Sequence, residues 1–439
     1  MTQYQQCPFA VDATLAQQAP LKSRKAAPAG PEVTIDLKSP DLYKNDGHFA
    51  AFRQLRREAP VYWNAESDST GFWAVTKHKD VLTVLQDPET FSTAMEHGGV
   101  RIFNIQEVNA NLPVPHIFTM VPPAHTDMRR SLAPAVASDR VAELEGFVRS
   151  KVRSLIGKIA ARGHADFADE VATPLAMLVL TRLLNVPEED GRKLQRWIEA
   201  LVGDDDHDYQ PSEAYRRTCV QEIDDYARAL LADRRRKPGA DLASCLAKAI
   251  AKNDSEDARF SSNFAALMLA GTETTRYSMS NAIWAFSLYP EQKAKLLADK
   301  RLLKSAVREV VRWTSPLLHM RKTATRDVVL GGAQIRKGDK VVIWYVSANR
   351  DEDLYDHPDD FDIERFTREG GATYMGFGAG PHYCLGWRIA ELEITIALDE
   401  TLSALPDIVV TGPVDRVRSN NVYGVKRLPV RFTPRTVES

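Results

Sequence analysis

Residues 376–386 read Gly376-Phe377-Gly378-Ala379-Gly380-Pro381-His382-Tyr383-Cys384-Leu385-Gly386. One cysteine stands at the end of a glycine-rich turn, just ahead of a segment with helical spacing over about 385–404. That placement suits an anion. Backbone N–H groups at a helix N-terminus stabilise negative charge, so a sulfur there can persist as a thiolate and bind a metal. Glycines let the chain pass close beneath a flat ligand and take positive φ. A buried structural cysteine beside a helix cap is the competing reading. Against it, the pattern fixes Phe377, Gly378, Gly380, His382 and Gly386 around Cys384 at once, which chance seldom supplies.

The other cysteines, Cys7, Cys219 and Cys245, are far from Cys384 and from each other. Without CxxC pairing they support no disulfide framework, zinc ribbon or iron–sulfur cluster. The chain has 439 residues, 44% hydrophobic and 26% charged, with a net charge of -2. Charge balance gives no case for nucleic acid, and no run reaches the roughly 20 apolar residues of a membrane span. Residues 1–35, rich in Ala, Gln, Pro and Lys, read as a flexible extension, and 36–439 as one domain of a soluble, cytoplasmic monomer.

Around the cysteine loop the chain reads as mainly α with small β-sheets. Val61–Trp63 and Phe72–Thr76 flank a polar turn, as a hairpin does. Val141, Leu144, Phe147, Val148, Val152, Leu155 and Ile156 recur at helical spacing from Ser138 onward. Further helices are expected at about 170–185, 189–202, 212–236, 260–287, 290–299 and 301–313, with short strands over 325–350 and in the tail. Residues 203–209, GDDDHDY, read as a solvated acidic turn. The long irregular stretch 97–118 is of a length that tends to carry function.

Three motifs accompany the loop. Residues 260–287 are apolar on most faces, as a helix buried in a large protein is, yet Ala270-Gly271-Thr272-Glu273-Thr274-Thr275 interrupts them. Glycine in mid-helix costs roughly 1 kcal/mol relative to alanine, and threonines there can simply bond back to the preceding turn. Glu309 and Arg312 lie three apart on one helix face, ahead of HPDDFDIERF at 357–366. His125 and Arg129 lie four apart in VPPAHTDMRR, residues 121–130.

Taken together, FGAGPHYCLG and these motifs, in this order over about residues 40–435, resemble the cytochrome P450 family. The resemblance implies that family's fold, with haem b buried between the long central helix and the cysteine-loop helix. It implies Cys384 as the axial ligand of the iron, Phe377 beside the sulfur, and Gly378 and Gly386 allowing close approach to the ring. His125, Arg129 and His382 would reach the haem propionates, with either Arg321 or Lys322 of RKTATRD. Glu273 and Thr274 match the family's acid–alcohol pair, the acid relaying protons and the alcohol holding the reacting oxygen and its water. A local widening of the helix there would make room for both. Glu309, Arg312 and Arg365 match a buried charge network that supports the cysteine loop.

The implied activity is a haem-thiolate monooxygenase. It inserts one atom of dioxygen into a lipophilic small molecule, with electrons from NAD(P)H through a separate ferredoxin and its reductase. TATRD and SNNVYGVKRLPVRF are similar to the branch oxidising terpenoids, sterol side chains and branched lipids. The pocket is expected along 97–118 and 198–212, with Ala266, Ala270, Leu317, Leu318 and Val422. Arg101, Asn104 and His319 are candidate anchors for a polar or anionic group, and Arg129, Arg130 and Arg388 for a redox partner, weakened by Asp127. A peroxide-driven peroxygenase of the same fold would lack Glu273–Thr274. A cysteine-nucleophile hydrolase would need a better-placed base than His382.

Overall fold

The computed structural model describes residues 35–67, 69–102, 114–250, 255–368 and 374–436. Helices dominate, as expected. The longest, Glu256–Leu288, has 33 residues and so spans about 50 Å at 1.5 Å per residue. It passes from one hydrophobic core to another. Its first half sends Phe260, Phe264 and Met268 into a cluster with the helices Gly191–Val202, Glu213–Arg236 and Leu242–Ala249. Its second half sends Met279, Ile283 and Phe286 into a cluster with Ser138–Ala160 and Trp387–Ala404. Each such side chain, fully buried, contributes about 1.5–3 kcal/mol. Between the two cores lies the Ala270–Thr275 interruption.

Local sequence explains where several helices start and stop. Ser212 Oγ accepts from Tyr215 N at 3.1 Å and caps Glu213–Arg236. Asn185, at φ 52, ends Thr173–Leu184 in the left-handed conformation that asparagine tolerates. The expected helices at 290–299 and 301–313 are Pro290–Ala298 and Leu303–Thr314. Several shorter helices, among them Pro40–Lys44, His48–Glu58, His78–Gln86, Leu242–Ala249, Tyr345–Ala348 and Arg365–Arg368, were not marked by the sequence patterns used above.

A five-stranded sheet stands to one side. Its order is Val61–Asn64, Phe72–Val75, Lys340–Trp344, His319–Ala324, Phe91–Ser92. The expected hairpin is present, with Val61 opposite Val75 and Asn64 opposite Phe72. Phe72–Val75 runs parallel to Lys340–Trp344, and the other neighbours are antiparallel. No described helix is long and apolar enough to cross a membrane.

Two local expectations fail. The central helix is regular α-helix from Glu256 to Leu288, with no widened turn near Thr274. Thr272 Oγ1 donates to Met268 O at 2.9 Å and Thr274 Oγ1 to Ala270 O at 3.3 Å, so the hydroxyls bond along an intact ladder. A π-helical turn occurs instead at Ala168–Ala172. Nor is 203–209 a freely solvated acidic turn. Asp206 is buried, 3.1 Å from Lys426 Nζ, and accepts from the Arg418 amide at 2.8 Å; Asp204 pairs with Arg101 at 2.9 Å.

Candidate active site

The cysteine loop is built from short turns, Met375–Phe377 and Gly380–His382, that deliver Cys384 to the start of Trp387–Ala404. Cys384 N donates to Phe377 O at 2.9 Å, which closes the loop on itself. Gly380 has φ +67, and a Cβ there would meet Leu85 O at 2.2 Å. Only glycine fits. An added Cβ at Gly386, in contrast, would meet nothing within 4 Å. Burial pushes the Cys384 thiol up to about 11, against the Gly386 N–H bonded to the sulfur and the nearby Arg129 guanidinium, which favour thiolate. Among the described residues no three His, Cys, Asp or Glu side chains converge to hold a metal ion. A lone thiolate at the end of such a loop is the kind of single protein ligand that haem iron takes.

The loop is braced from behind. Glu309 and Arg312 are fully buried and make two contacts of 2.7 Å; Arg365 Nε donates to Glu309 at 3.3 Å. Arg312 also donates to Asn349 O and Pro358 O, each at 2.8 Å, and to Asp360 O at 3.0 Å. Asn349 completes the connection. Its Oδ1 accepts from Met375 N at 2.6 Å, at the base of the cysteine loop. Sequence reasoning missed Asn349, since a single asparagine in a loop carries no pattern.

Above the loop lies a group of bases without acids. The His125 and His382 rings are 3.9 Å apart. Burial, then Lys322, His125 and Arg129, hold His382 down to about 2; burial, then Arg129 and Lys322, hold His125 down to about 4. Lys322 is buried and pushed down to about 8 by desolvation. Among the described residues nothing hydrogen-bonds His125 Nε2, which is buried. Among the described residues no carboxylate forms an ion pair with Arg129 or Lys322. Such a cluster fits an anionic ligand, and the two propionates of haem are of that kind.

Arg321 is turned the other way. Successive strand residues face opposite sides, and Arg321 Nη2 donates to His97 O at 2.9 Å, on the side of Thr323, which bonds the same carbonyl at 2.8 Å. The alternative of Arg321 or Lys322 thus resolves towards Lys322 as the residue beside His125 and His382.

On the central helix, Ala270 and Gly271 are exposed although the helix runs through the protein interior. Thr274 is half-buried on the same side as Ala270, one turn on. Glu273 faces elsewhere. It is buried, with Arg276 Nε 2.8 Å from one carboxylate oxygen, Arg276 Nη2 donating to the other at 3.0 Å, and Tyr277 Oη also bonded to it. Arg276 in turn reaches Tyr209 Oη at 3.1 Å, Thr173 Oγ1 at 3.2 Å and Glu199 at 3.5 Å. Sequence reasoning paired Glu273 with Thr274 and missed these partners.

The proposed pocket residues divide. Leu317 and Val422 are bridged to each other, beside Ala270's helix through the core that holds Val422 and Ala266. Leu318 is fully buried in a different cluster, with Tyr43, Phe52 and Trp344, because alternation turns it to the far side of Leu317. Of the candidate anchors, Arg101 pairs with Asp204, His319 is buried with Nδ1 2.9 Å from Asn420 O, and Asn104 lies outside the described residues.

Comparison with known proteins gives the family. The family model for cytochrome P450 matches residues 30–406. The chain belongs to the cytochrome P450 family. It is 38% identical over 407 residues to linalool 8-monooxygenase of Pseudomonas putida, covering 91% of this chain and 99% of that one. Identity to the methyl-branched lipid omega-hydroxylase of Mycobacterium bovis is 33%, with 92% and 96% covered. Among solved structures, the Mycobacterium marinum cytochrome P450 CYP268A2 in complex with pseudoionone superposes with a TM-score of 0.82 at 32% identity, covering 92% of this chain and 100% of that one. This P450 is a monooxygenase, an oxidoreductase that incorporates oxygen, and its cofactor is haem b, supplied with electrons from NAD(P)H by redox partners.

Proposed function

We propose that this P450 hydroxylates a branched terpenoid or a similarly lipophilic lipid or sterol, with a ferredoxin and its reductase as electron donors. The lone sulfur of Cys384 beneath the buried cluster of His125, Arg129, Lys322 and His382, whose Arg129 and Lys322 form no ion pair with a carboxylate among the described residues, is the observation that carries the haem-binding part of this reading. Bound haem would supply oxygen activation and C–H oxidation. The protein's own groups hold, position and shield. Cys384, kept in reach of the Gly386 N–H, would be the metal ligand. His125, Arg129, Lys322 and His382 would fix the propionates, each charge-assisted bond contributing about 1.5–3 kcal/mol. Phe377, Gly378 and Gly386 would let the ring lie against the loop.

Thr274 Oγ1, now donating to Ala270 O, is the hydroxyl best placed to hold water and a reacting oxygen. Glu273 is its proton source in this reading, and Arg276 and Tyr277 hold that carboxylate until it turns. Ala270, Leu317 and Val422 form an apolar lining that suits terpenoids, and the linalool and branched-lipid relatives support this choice. Docking of a ferredoxin near the loop would use Arg388, which stacks on Trp387 at 4.3 Å, and the exposed Tyr383. Arg130 contributes less, being paired with Asp127 at 2.9 Å. Residues 36–439 act as one catalytic domain, an interpretation supported by Leu385, which packs against two of the core clusters. The described cysteines are unpaired, which suits a reducing, cytoplasmic setting.

A reconstituted assay with linalool and related terpenoids tests this. Wild type should turn NAD(P)H into hydroxylated product. Thr274→Ala should keep consuming NAD(P)H while most of it appears as hydrogen peroxide. Unchanged coupling in Thr274→Ala would remove Thr274 from its role.

A further inference from the structure

We infer that Glu199 stores the proton that Glu273 hands on, and that Arg276 is a counter-ion the two carboxylates exchange. The inference rests on the reading of Glu273 as proton source and goes beyond it in naming where that proton comes from. It starts from a charge count inside the protein. Arg276 sits with Nε 2.8 Å from Glu273 and Nη1 3.5 Å from Glu199, the three side chains being 5%, 3% and 22% exposed. Its other donations go to neutral oxygens, to Thr173 Oγ1 at 3.2 Å and to Tyr209 Oη and Tyr277 Oη, each at 3.1 Å. Among the described residues no other cation lies within ion-pair distance of either carboxylate. One guanidinium thus serves two largely buried carboxylates, and like charges that share one counter-ion resist ionising together.

The geometry says which of the two keeps a proton. Glu273 takes two contacts from Arg276 and one from Tyr277 Oη. Glu199 has the longer ion contact, and accepts from Gln195 Nε2 at 3.0 Å. The other ionisable groups that act on it are the phenols of Tyr209 and Tyr215 and the exposed Asp169, which adds repulsion. Burial raises the Glu199 carboxyl above its usual range, against Arg276 and Gln195 and with the help of Glu273 and Asp169. In the resting protein, then, Glu199 carries the proton and Arg276 neutralises Glu273. To turn towards Thr274, Glu273 has to leave Arg276, and as a carboxylate it would be stranded without a counter-ion. Glu199 ionises against Arg276 instead, and the proton it loses is the one Glu273 gains. One proton moves, the charge of the cluster stays the same, and Glu273 arrives as the acid. Glu199, the most exposed of the three, takes its next proton from water.

The test is infrared spectroscopy of full-length haem-loaded protein, in which a protonated carboxyl shows a carbonyl band that moves in heavy water. The wild-type spectrum minus that of Glu199→Gln isolates Glu199, and following it with pH gives that group's proton affinity without turnover. The same subtraction in a Glu273→Gln background leaves Arg276 to Glu199 alone, and the proton affinity should fall by at least about ten-fold. Glu273→Ala serves if Glu273→Gln does not fold. In the reconstituted assay, Glu199→Gln should slow product formation by at least about ten-fold and raise its solvent isotope effect by at least about two-fold, with the thiolate band intact. No titrating band from Glu199, an affinity unchanged by loss of the Glu273 charge, or an unchanged isotope effect in folded Glu199→Gln protein each overturn the inference alone. A wild type without the thiolate band, or unchanged coupling in Thr274→Ala, overturns the reading beneath it and the inference with it.

Discussion

Arg312→Lys is the sharpest probe of the support behind the cysteine loop. Arg312 is fully buried, and its hydrogen bonds include two to Glu309 and one each to the carbonyls of Asn349, Pro358 and Asp360. Lysine keeps the charge but presents one ammonium in place of a planar fork. It can meet Glu309, yet cannot also reach three carbonyls on different sides. Two of them would be left buried without a donor, each costing about 1–3 kcal/mol. The expected loss is about 3 kcal/mol, a substantial part of a typical total of about 5–15 kcal/mol. Urea unfolding of purified protein measures it. Because Asn349 bonds both Arg312 and Met375 N, the defect should spread to the cysteine loop and reduce the thiolate-ligated fraction in the carbon-monoxide difference spectrum. An Arg312→Lys protein within about 0.5 kcal/mol of wild type, with a full thiolate band, would refute this account of the network.

Other substitutions test separate parts of the site. Lys322→Met should stabilise haem-free protein at pH 7.5, since the ammonium is buried, pairs with no carboxylate among the described residues, and is held down by burial to about 8 from 10.5. The unfolded chain binds the extra proton between those values, so the wild type regains stability as pH rises from about 8 to 10.5 and the benefit of Met should fade; with haem bound, the same change should weaken cofactor retention in a competition with apomyoglobin. Gly380→Ala places a Cβ 2.2 Å from Leu85 O at φ +67, and should lower stability by about 2–4 kcal/mol; a urea midpoint equal to wild type counts against the loop geometry. His319→Gln should make the protein less acid-sensitive, because His319 is held down to about 3 and must take up a proton on unfolding below pH 6.5. Parallel acid titrations by circular dichroism read this, and identical curves would argue against it.

How much was legible in the sequence follows from how local each signal is. The cysteine loop depends on residue types at fixed, adjacent positions, so its pattern survives without coordinates. Long helices such as Ser138–Ala160 declare themselves by repeated apolar spacing, whereas Pro40–Lys44, with 5 residues, is too short to do so. Glu309 and Arg312 were recognisable as a pair, but Asn349, which links them to Met375, bonds across the fold and leaves no trace in its neighbours. Arg321 and Lys322 could be separated only once strand alternation was fixed by the register against Val342 and Val341. The same alternation moved Leu318 out of the pocket. The acidic turn 203–209 looked solvated because its partners, Arg101, Arg418 and Lys426, are remote in sequence. Glu273 illustrates both cases: its place beside Thr274 was visible, while the Tyr209 and Glu199 ends of its network were not.

The central claim is that Cys384 is the thiolate ligand of a haem, and the reduced, carbon-monoxide-bound difference spectrum tests it most directly. Wild-type protein should show the red-shifted Soret band that gives the family its name, and Cys384→Ala should lack it while remaining folded by circular dichroism. Well-folded wild-type protein with no such band, or a Cys384→Ala variant that keeps it, would contradict the assignment.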